Sequence, residues 1–403
     1  MSETIPQTPA STPLAPPPYL HEVVALLKER EPELWQWSSS VAVRSEASEE
    51  ARTELLKANY RLDAAGHPEL TERCAAVAQR LGVTAPITLY QANGGFGLNA
   101  MLCYLPGEAH IVFTGPILAN LRGAELDAVL AHELAHYQLW TMNGGEFLVA
   151  DRLLMAAADD ARASTSHAQT ARRFRLYTEV FADRGGFAGC GELEATVAAL
   201  VKTETGLHDV SAASYLRQAD EIFAREESRT KGLNHPETFI RARALRLWAE
   251  QDADVENWLA ATIEGPLGVD ELDLVGQQRL TKLTRRFLGE FLRPKWFQSA
   301  AVLAHARGFF PDFAVPSTPD AAVADELQFT DAASREYLCY LLLDFVAIDP
   351  DLEEVPLAAA LEWSGRLGIG EAFSKLAMKE LGLGKRVLAR VKKEAEAMLK
   401  EPT

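Results

Sequence analysis

The chain is poor in cysteine. Only four of its 403 residues are Cys, at positions 74, 103, 190 and 339, and none stands in a Cys-x-x-Cys pair. That spacing excludes a disulfide framework and a cysteine zinc cluster, and it fits a reducing, cytoplasmic setting. Long apolar runs are missing too. The best, Tyr337 to Ile348, contains Asp344 and falls short of the about 18 residues a membrane helix needs, so a soluble protein with no membrane span is expected. Positive charge is in deficit, with 40 Lys and Arg against 57 Asp and Glu, a net charge of −17. Nucleic acid and anionic membrane surfaces repel such a chain, and no nucleic-acid partner is expected. A repeat of fixed period is also absent, which excludes a solenoid.

Apolar residues make up 48% of the chain, enough for a substantial core, and the length suits two domains or one large one. Residues 1–17 carry prolines at 6, 9, 13, 16 and 17 and have no basic stretch followed by an apolar run. They read as a disordered Pro-rich leader rather than a targeting segment. From 18 to 82 the periodicity is helical: HEVVALLKER, then SEEARTELLKANYRL, then HPELTERCAAVAQRLG, opened by Pro68 and closed by Gly82. Between 86 and 114 the runs ITLYQA, NAMLCYL and HIVFTG are short, β-prone and separated by glycine turns, which predicts a small antiparallel sheet. Helices are predicted near 123–139, 144–163, 167–189, 191–204, 211–227 and 236–251. A boundary falls in IEGPLGVDE, and the tail beyond it is helical except for FFPDFAVPSTPD. The expected class is α+β, mostly helical, with a catalytic domain over 18–265 and a helical accessory domain over 266–403.

The segment ELDAVLAHELAHYQLW holds His132, Glu133 and His136 in the spacing H-E-x-x-H. On an α-helix, positions i and i+4 share a face, so both imidazoles reach one metal while Glu133 looks toward its open side. Zinc bound there lowers the pKa of its water, and Glu133 is placed to take the proton as general base. A third ligand is offered by RLYTEVFADRGG, where Glu179 and Asp183 lie four apart. Glu179 would complete the site and Asp183 would hold a ligand histidine by its second ring nitrogen. Such acid pairs more often mark a solvated face, but Val180, Phe181 and Ala182 between them suggest a buried helix.

Taken together, LNAMLCYLPGEAHIVFTGPILANLRGAELDAVLAHELAHY at 98–137 and EVFAD at 179–183 resemble the M48 zinc metallopeptidases, a gluzincin group. The likeness runs over about residues 68–250. It implies a zincin-like fold with one Zn2+ per chain, held by His132, His136 and Glu179, with Glu133 as base and Asp183 behind the ligands. The resemblance continues into LNHPETFIRARAL, where His235 and Arg241 match residues that face the family's active site and stabilise an oxyanion. In some members that histidine is proposed to fill the open metal position. The plainer alternative is that Asn234 and Pro236 open a helix and leave His235 in solvent. The strand beginning Asn99, Ala100, Met101 would pair with an extended polypeptide substrate through its backbone, which leaves selectivity to pockets the sequence does not reveal.

Two other signals fail. Gly95-Phe-Gly97-Leu-Asn-Ala100 has the form of a dinucleotide loop but runs into a strand instead of a helix, and DPDLEEVPLAAA lacks the glycine and last acid of a calcium loop. Residues 337–383 resemble helical TerB-like domains, which implies an interaction module and a protein partner at the C-terminal end. The reading is a zinc-dependent metalloendopeptidase. The alternative is a latent or catalytically silent zinc-bearing scaffold regulated through its C-terminal domain.

Overall fold

The computed structural model describes residues 14–41, 46–94, 97–160, 164–225 and 229–400. The chain divides into two compact units, one ending at Gly265 and the other starting at Pro266. Residues 1–13 of the expected leader lie outside the described residues, as do Gly95 and Phe96 of the glycine loop. Leu14, which falls within the expected leader, is buried.

The first unit opens with α1 (Pro18–Arg30), α2 (Pro32–Val41) and α3 (Glu46–Ala58), then strand β1 (Asn59–Leu62) and α4 (Pro68–Leu81). The strand is a correction, since the sequence pattern carries a helix through Leu62. Asn59 ends that helix by donating from Nδ2 to the Leu55 carbonyl at 2.9 Å, and the next residues pair with the sheet. Strands β2 (Ile87–Ala92), β3 (Asn99–Leu105) and β4 (Glu108–Thr114) fall where alternation places them. The sheet order is β1-β2-β4-β3, and the sheet is mixed rather than wholly antiparallel. β1 with β2 and β3 with β4 run antiparallel. β2 with β4 runs parallel, because the β3–β4 hairpin folds back to insert β4 beside β2. This order leaves β3 at the sheet edge.

A short α5 (Ile117–Asn120) leads into α6 (Ala124–Thr141), followed by α7 (Glu146–Asp159), α8 (Thr165–Cys190), α9 (Leu193–Thr205), α10 (Ala212–Arg225), α11 (Thr238–Ala249) and α12 (Val255–Ile263). Asp127 in the first turn of α6 pairs with Arg73 at 2.9 Å and Arg80 at 3.2 Å, both on α4. Its negative charge also suits a helix N-terminus. Every residue from Leu176 to Asp183 of α8 is buried, as befits a helix covered on all sides.

The approach of α8 to α6 depends on glycine. A Cβ at Gly185 would lie 2.2 Å from the Ala135 Cβ, and one at Gly189 would lie 2.4 Å from the Ala131 Cβ. With alanine on one helix and glycine on the other, the backbones come close enough for short side chains to meet between them.

The second unit is helical: α13 (Leu274–Phe291), α14 (Ala300–Phe309), α15 (Ala322–Leu327), α16 (Ala332–Val346), α17 (Val355–Arg366), α18 (Gly370–Glu380) and α19 (Lys385–Lys400). Phe287, Phe297, Phe345 and Phe373 are fully buried in its core. Asp273 caps α13 by accepting from the Gly276 amide at 2.7 Å, and Asp331 caps α16 by accepting from Ser334 at 2.7 Å. The irregular stretch after α14 is tied back to α13 by Arg285 on Asp312 and Arg286 on Asp320. Among the described residues, no helix is long and apolar enough to cross a membrane.

Candidate metal centre and active-site cleft

His132 and His136 project from one face of α6, and Glu179 projects toward them from α8. The Nε2 atoms of the two histidines are 3.3 Å apart. Glu179 Oε2 lies 3.5 Å from His132 Nε2, and its Oε1 lies 3.6 Å from His136 Nε2. Among the described residues this is the only His/Cys/Asp/Glu group of three or more with ligand atoms gathered within 4.8 Å. The edges of a tetrahedron with bonds of about 2.0–2.2 Å to a central zinc are about 3.3–3.6 Å long, so the three spacings fit. The donors also behave as ligands lacking an acceptor of their charge. Glu179 Oε2 is buried with no hydrogen bond, although ring nitrogens approach it.

Asp183, one turn beyond Glu179 and 2% exposed in its side chain, has Oδ1 3.1 Å from His132 Nδ1. That contact orients the ring so that Nε2 faces the centre. Burial alone would lower the basicity of His132, but Asp183 and Glu179 outweigh it and raise its pKa to about 10. For His136 burial prevails and drives the pKa down to about 4. Burial works against ionising Glu179 as well, yet the His136, His132 and His235 charges hold its carboxyl far below the usual range.

Glu133 is 6% exposed, and burial, partly offset by the His132 charge, pushes its pKa up to about 7. A carboxylate poised near neutrality is suited to exchanging protons in both directions. The Leu102 backbone of edge strand β3 hydrogen-bonds Glu133, and Asn99, Ala100 and Met101 of the same strand line the cleft, of about 370 Å³, that Glu133 and the histidines also line. Met101 is 52% exposed.

His235 and Arg241 both reach the cleft. His235 Nε2 lies 3.3 Å from Glu179 Oε2 while its side chain stays 56% exposed. The helix-opening alternative does not describe this segment: α11 starts at Thr238, and Asn234 Oδ1 accepts from Arg175 on α8. Arg241 is committed to Asp183, donating from Nε at 2.7 Å and from Nη2 at 2.5 Å, with Nη2 4.0 Å from Glu179. Its guanidinium therefore sits behind the ligands, with two of its nitrogens already engaged.

Residues 64–249 match the model of peptidase family M48. This segment is an M48 peptidase domain. No curated protein and no solved structure matches the chain. The M48 domain contains the edge strand, both ligand-bearing helices and the His235 segment, so every predicted site residue falls inside it.

Sequence reasoning missed three contributors. Trp140, stacked 6.4 Å from the His136 ring, was detectable as the next i+4 position on that face. Arg172, which holds the His235 segment by donating to the Gly232 and Thr230 carbonyls at 2.8 Å each, carries no local signal. Nor do the α9 residues that line the cleft, because what they face is decided by packing.

Proposed function

We propose that the M48 domain is a zinc-dependent endopeptidase. The observation that carries this reading is the convergence of His132, His136 and Glu179 at metal-ligand spacing beside a buried Glu133. Zinc, when bound by those three side chains, supplies Lewis-acid chemistry that acidifies water and polarises a carbonyl. The residues of the chain do the rest. The outward edge of β3 over Asn99, Ala100 and Met101 aligns an extended polypeptide by backbone hydrogen bonds. Glu133 takes the proton from the attacking water and returns it to the leaving amine. His235, whose side chain is half exposed at the cleft, donates to the oxygen on which charge develops. Arg241 acts through Asp183, fixing the carboxylate that orients His132.

The test is metal content measured alongside cleavage of an unfolded protein, comparing wild type with Glu133→Gln. The amide keeps the shape but cannot accept the proton, so zinc stays bound and turnover drops by about 10²- to 10⁴-fold. Equal turnover by the variant would remove Glu133 from the mechanism. A latent enzyme is the second reading, favoured by one distance: His235 Nε2 is as close to Glu179 as a fourth ligand would be.

A further inference from the structure

The helical unit that begins at Pro266 has a cavity of its own, of about 360 Å³, a volume in the range of sites that hold a small organic molecule. One wall is the face of α17 that carries Ala359, Glu362, Trp363 and Arg366 at i, i+3, i+4 and i+7. The other is the end of α13 and the turn after it, which bring Glu290, Arg293 and Trp296. Both indoles are braced from behind. Trp296 stacks on Phe297 with ring centres 4.7 Å apart, and Trp363 meets Phe287 at 6.3 Å, both phenylalanines being fully buried. Aromatic walls held in this way receive an apolar group at little cost in their own freedom.

The polar groups of the lining decide which charge is complementary. Of the two acids, Glu290 is already engaged: its Oε1 accepts from the Asp320 amide at 2.8 Å, its Oε2 lies 3.4 Å from Arg293 Nε, and its side chain is 5% exposed. Glu362 is 46% exposed and comes only within 3.7 Å of Arg366 Nε, beyond hydrogen-bond distance. Arg366 lies instead over the Trp363 ring, with Cζ 5.0 Å from the ring centre. Neither guanidinium makes a hydrogen bond among the described residues, and the Trp363 Nε1 proton is buried without an acceptor. The lining therefore offers charged donors in excess of free acceptors, set beside apolar walls.

We infer that this cavity binds a carboxylate carried on a bulky apolar group, with Arg366 and Arg293 facing the acid and the apolar group lying against the two tryptophans. An arginine fork matches a carboxylate with two parallel hydrogen bonds. A cationic ligand would meet two guanidinium groups with only Glu362 to oppose them. Two sources present this chemistry: a free apolar acid, and the last residue of a polypeptide when its side chain is large and apolar. The inference is independent of the metal centre, since no residue of the M48 domain takes part.

The experiment is calorimetric titration of the full chain with 3-phenylpropionate, its amide, phenethylamine, and a short peptide ending in Phe with its carboxyl free or amidated. The acid should bind at least about 10-fold more tightly than its amide or the amine. Arg366→Gln should weaken the acid by about 10-fold and leave the amide unchanged, which assigns the binding to this cavity rather than to the metal centre. The Arg366 side chain is 62% exposed, so its loss leaves the fold in place. Glu362→Gln removes the competing acid and should tighten the acid severalfold. The peptide tells the sources apart: a free-carboxyl peptide that binds as tightly as the acid or better makes the ligand a chain end, and one that binds more weakly makes it a free acid. Equal affinity for acid and amide, tighter binding of the amine, acid binding unchanged in Arg366→Gln, weaker binding in Glu362→Gln, or no binding of any probe at millimolar concentration would overturn the proposal.

Discussion

Helices α6 and α8 hold their side chains by close packing, whereas the segment from 229 to 237 holds His235 by hydrogen bonds to its own backbone. In the helix pair, glycines at 185 and 189 admit alanines of α6, and the ligand atoms sit on regular, buried turns. The segment has no regular structure. Arg172 grips its carbonyls at 230 and 232, and Glu237 accepts from the Thr230 hydroxyl and the Lys231 amide at 2.8 Å each. Packed helices open only with large parts of the fold, while a segment kept by a few partly exposed hydrogen bonds opens locally. The contrast suits the chemistry proposed above, in which the metal ligands must not move but the group that meets a transient charge must admit substrate first.

The sharpest way to break this contrast is Arg241→Ala, because Arg241 on α11 joins the element after the segment to Asp183 on α8. The variant strips the buried Asp183 of its bidentate partner and should cost about 3–5 kcal/mol in urea unfolding. A loss within the about 1 kcal/mol of an exposed pair would show that the two regions are not joined there. Next in size, His235→Ala should lower kcat by about 10²-fold with zinc content unchanged, as for the loss of one oxyanion donor. A rise in basal turnover would instead make His235 the inhibitory fourth ligand.

The helix pair is tested by Gly189→Val. Its side chain must displace Ala131, and overpacking of this kind costs about 1–3 kcal/mol, so thermal stability and metal retention should fall together. The smallest effect belongs to Arg172→Ala. The carbonyls it frees are partly exposed and can turn to water, so stability should change by only about 0.5–1.5 kcal/mol and zinc should stay. The kcat should fall toward the His235→Ala value, because the histidine is still present but no longer placed. If Arg172→Ala lost metal as readily as Gly189→Val, the distinction between packed and tethered halves would be wrong.

The parts of the site that were readable in advance share one property: they are local. His132, Glu133 and His136 are linked by the pitch of a single helix, and Glu179 and Asp183 by the pitch of another, so spacing alone placed each set on a face. The strands after Pro86 were equally legible from alternation between glycine turns. What misled the pattern was nonlocal pairing. Residues 59–62 continue a helical pattern but are recruited as an edge strand by β2, and the parallel β2–β4 contact arises from a hairpin folding back, which no short window contains.

Spacing on two helices determined which side chains this protein has available for a metal and a proton, because the turn of an α-helix sets which neighbours share a face. Only the tertiary structure decided that the two faces meet. That needs glycine against alanine at the crossing, a match between residues far apart in the chain. It also decided that His235 Nε2 lies 3.3 Å from Glu179 Oε2 while its side chain stays half exposed, and that Thr196 and Thr203 line the cleft. Those outcomes follow from which carbonyl each arginine and hydroxyl finds after packing, and a partner found across the fold leaves no period in the sequence.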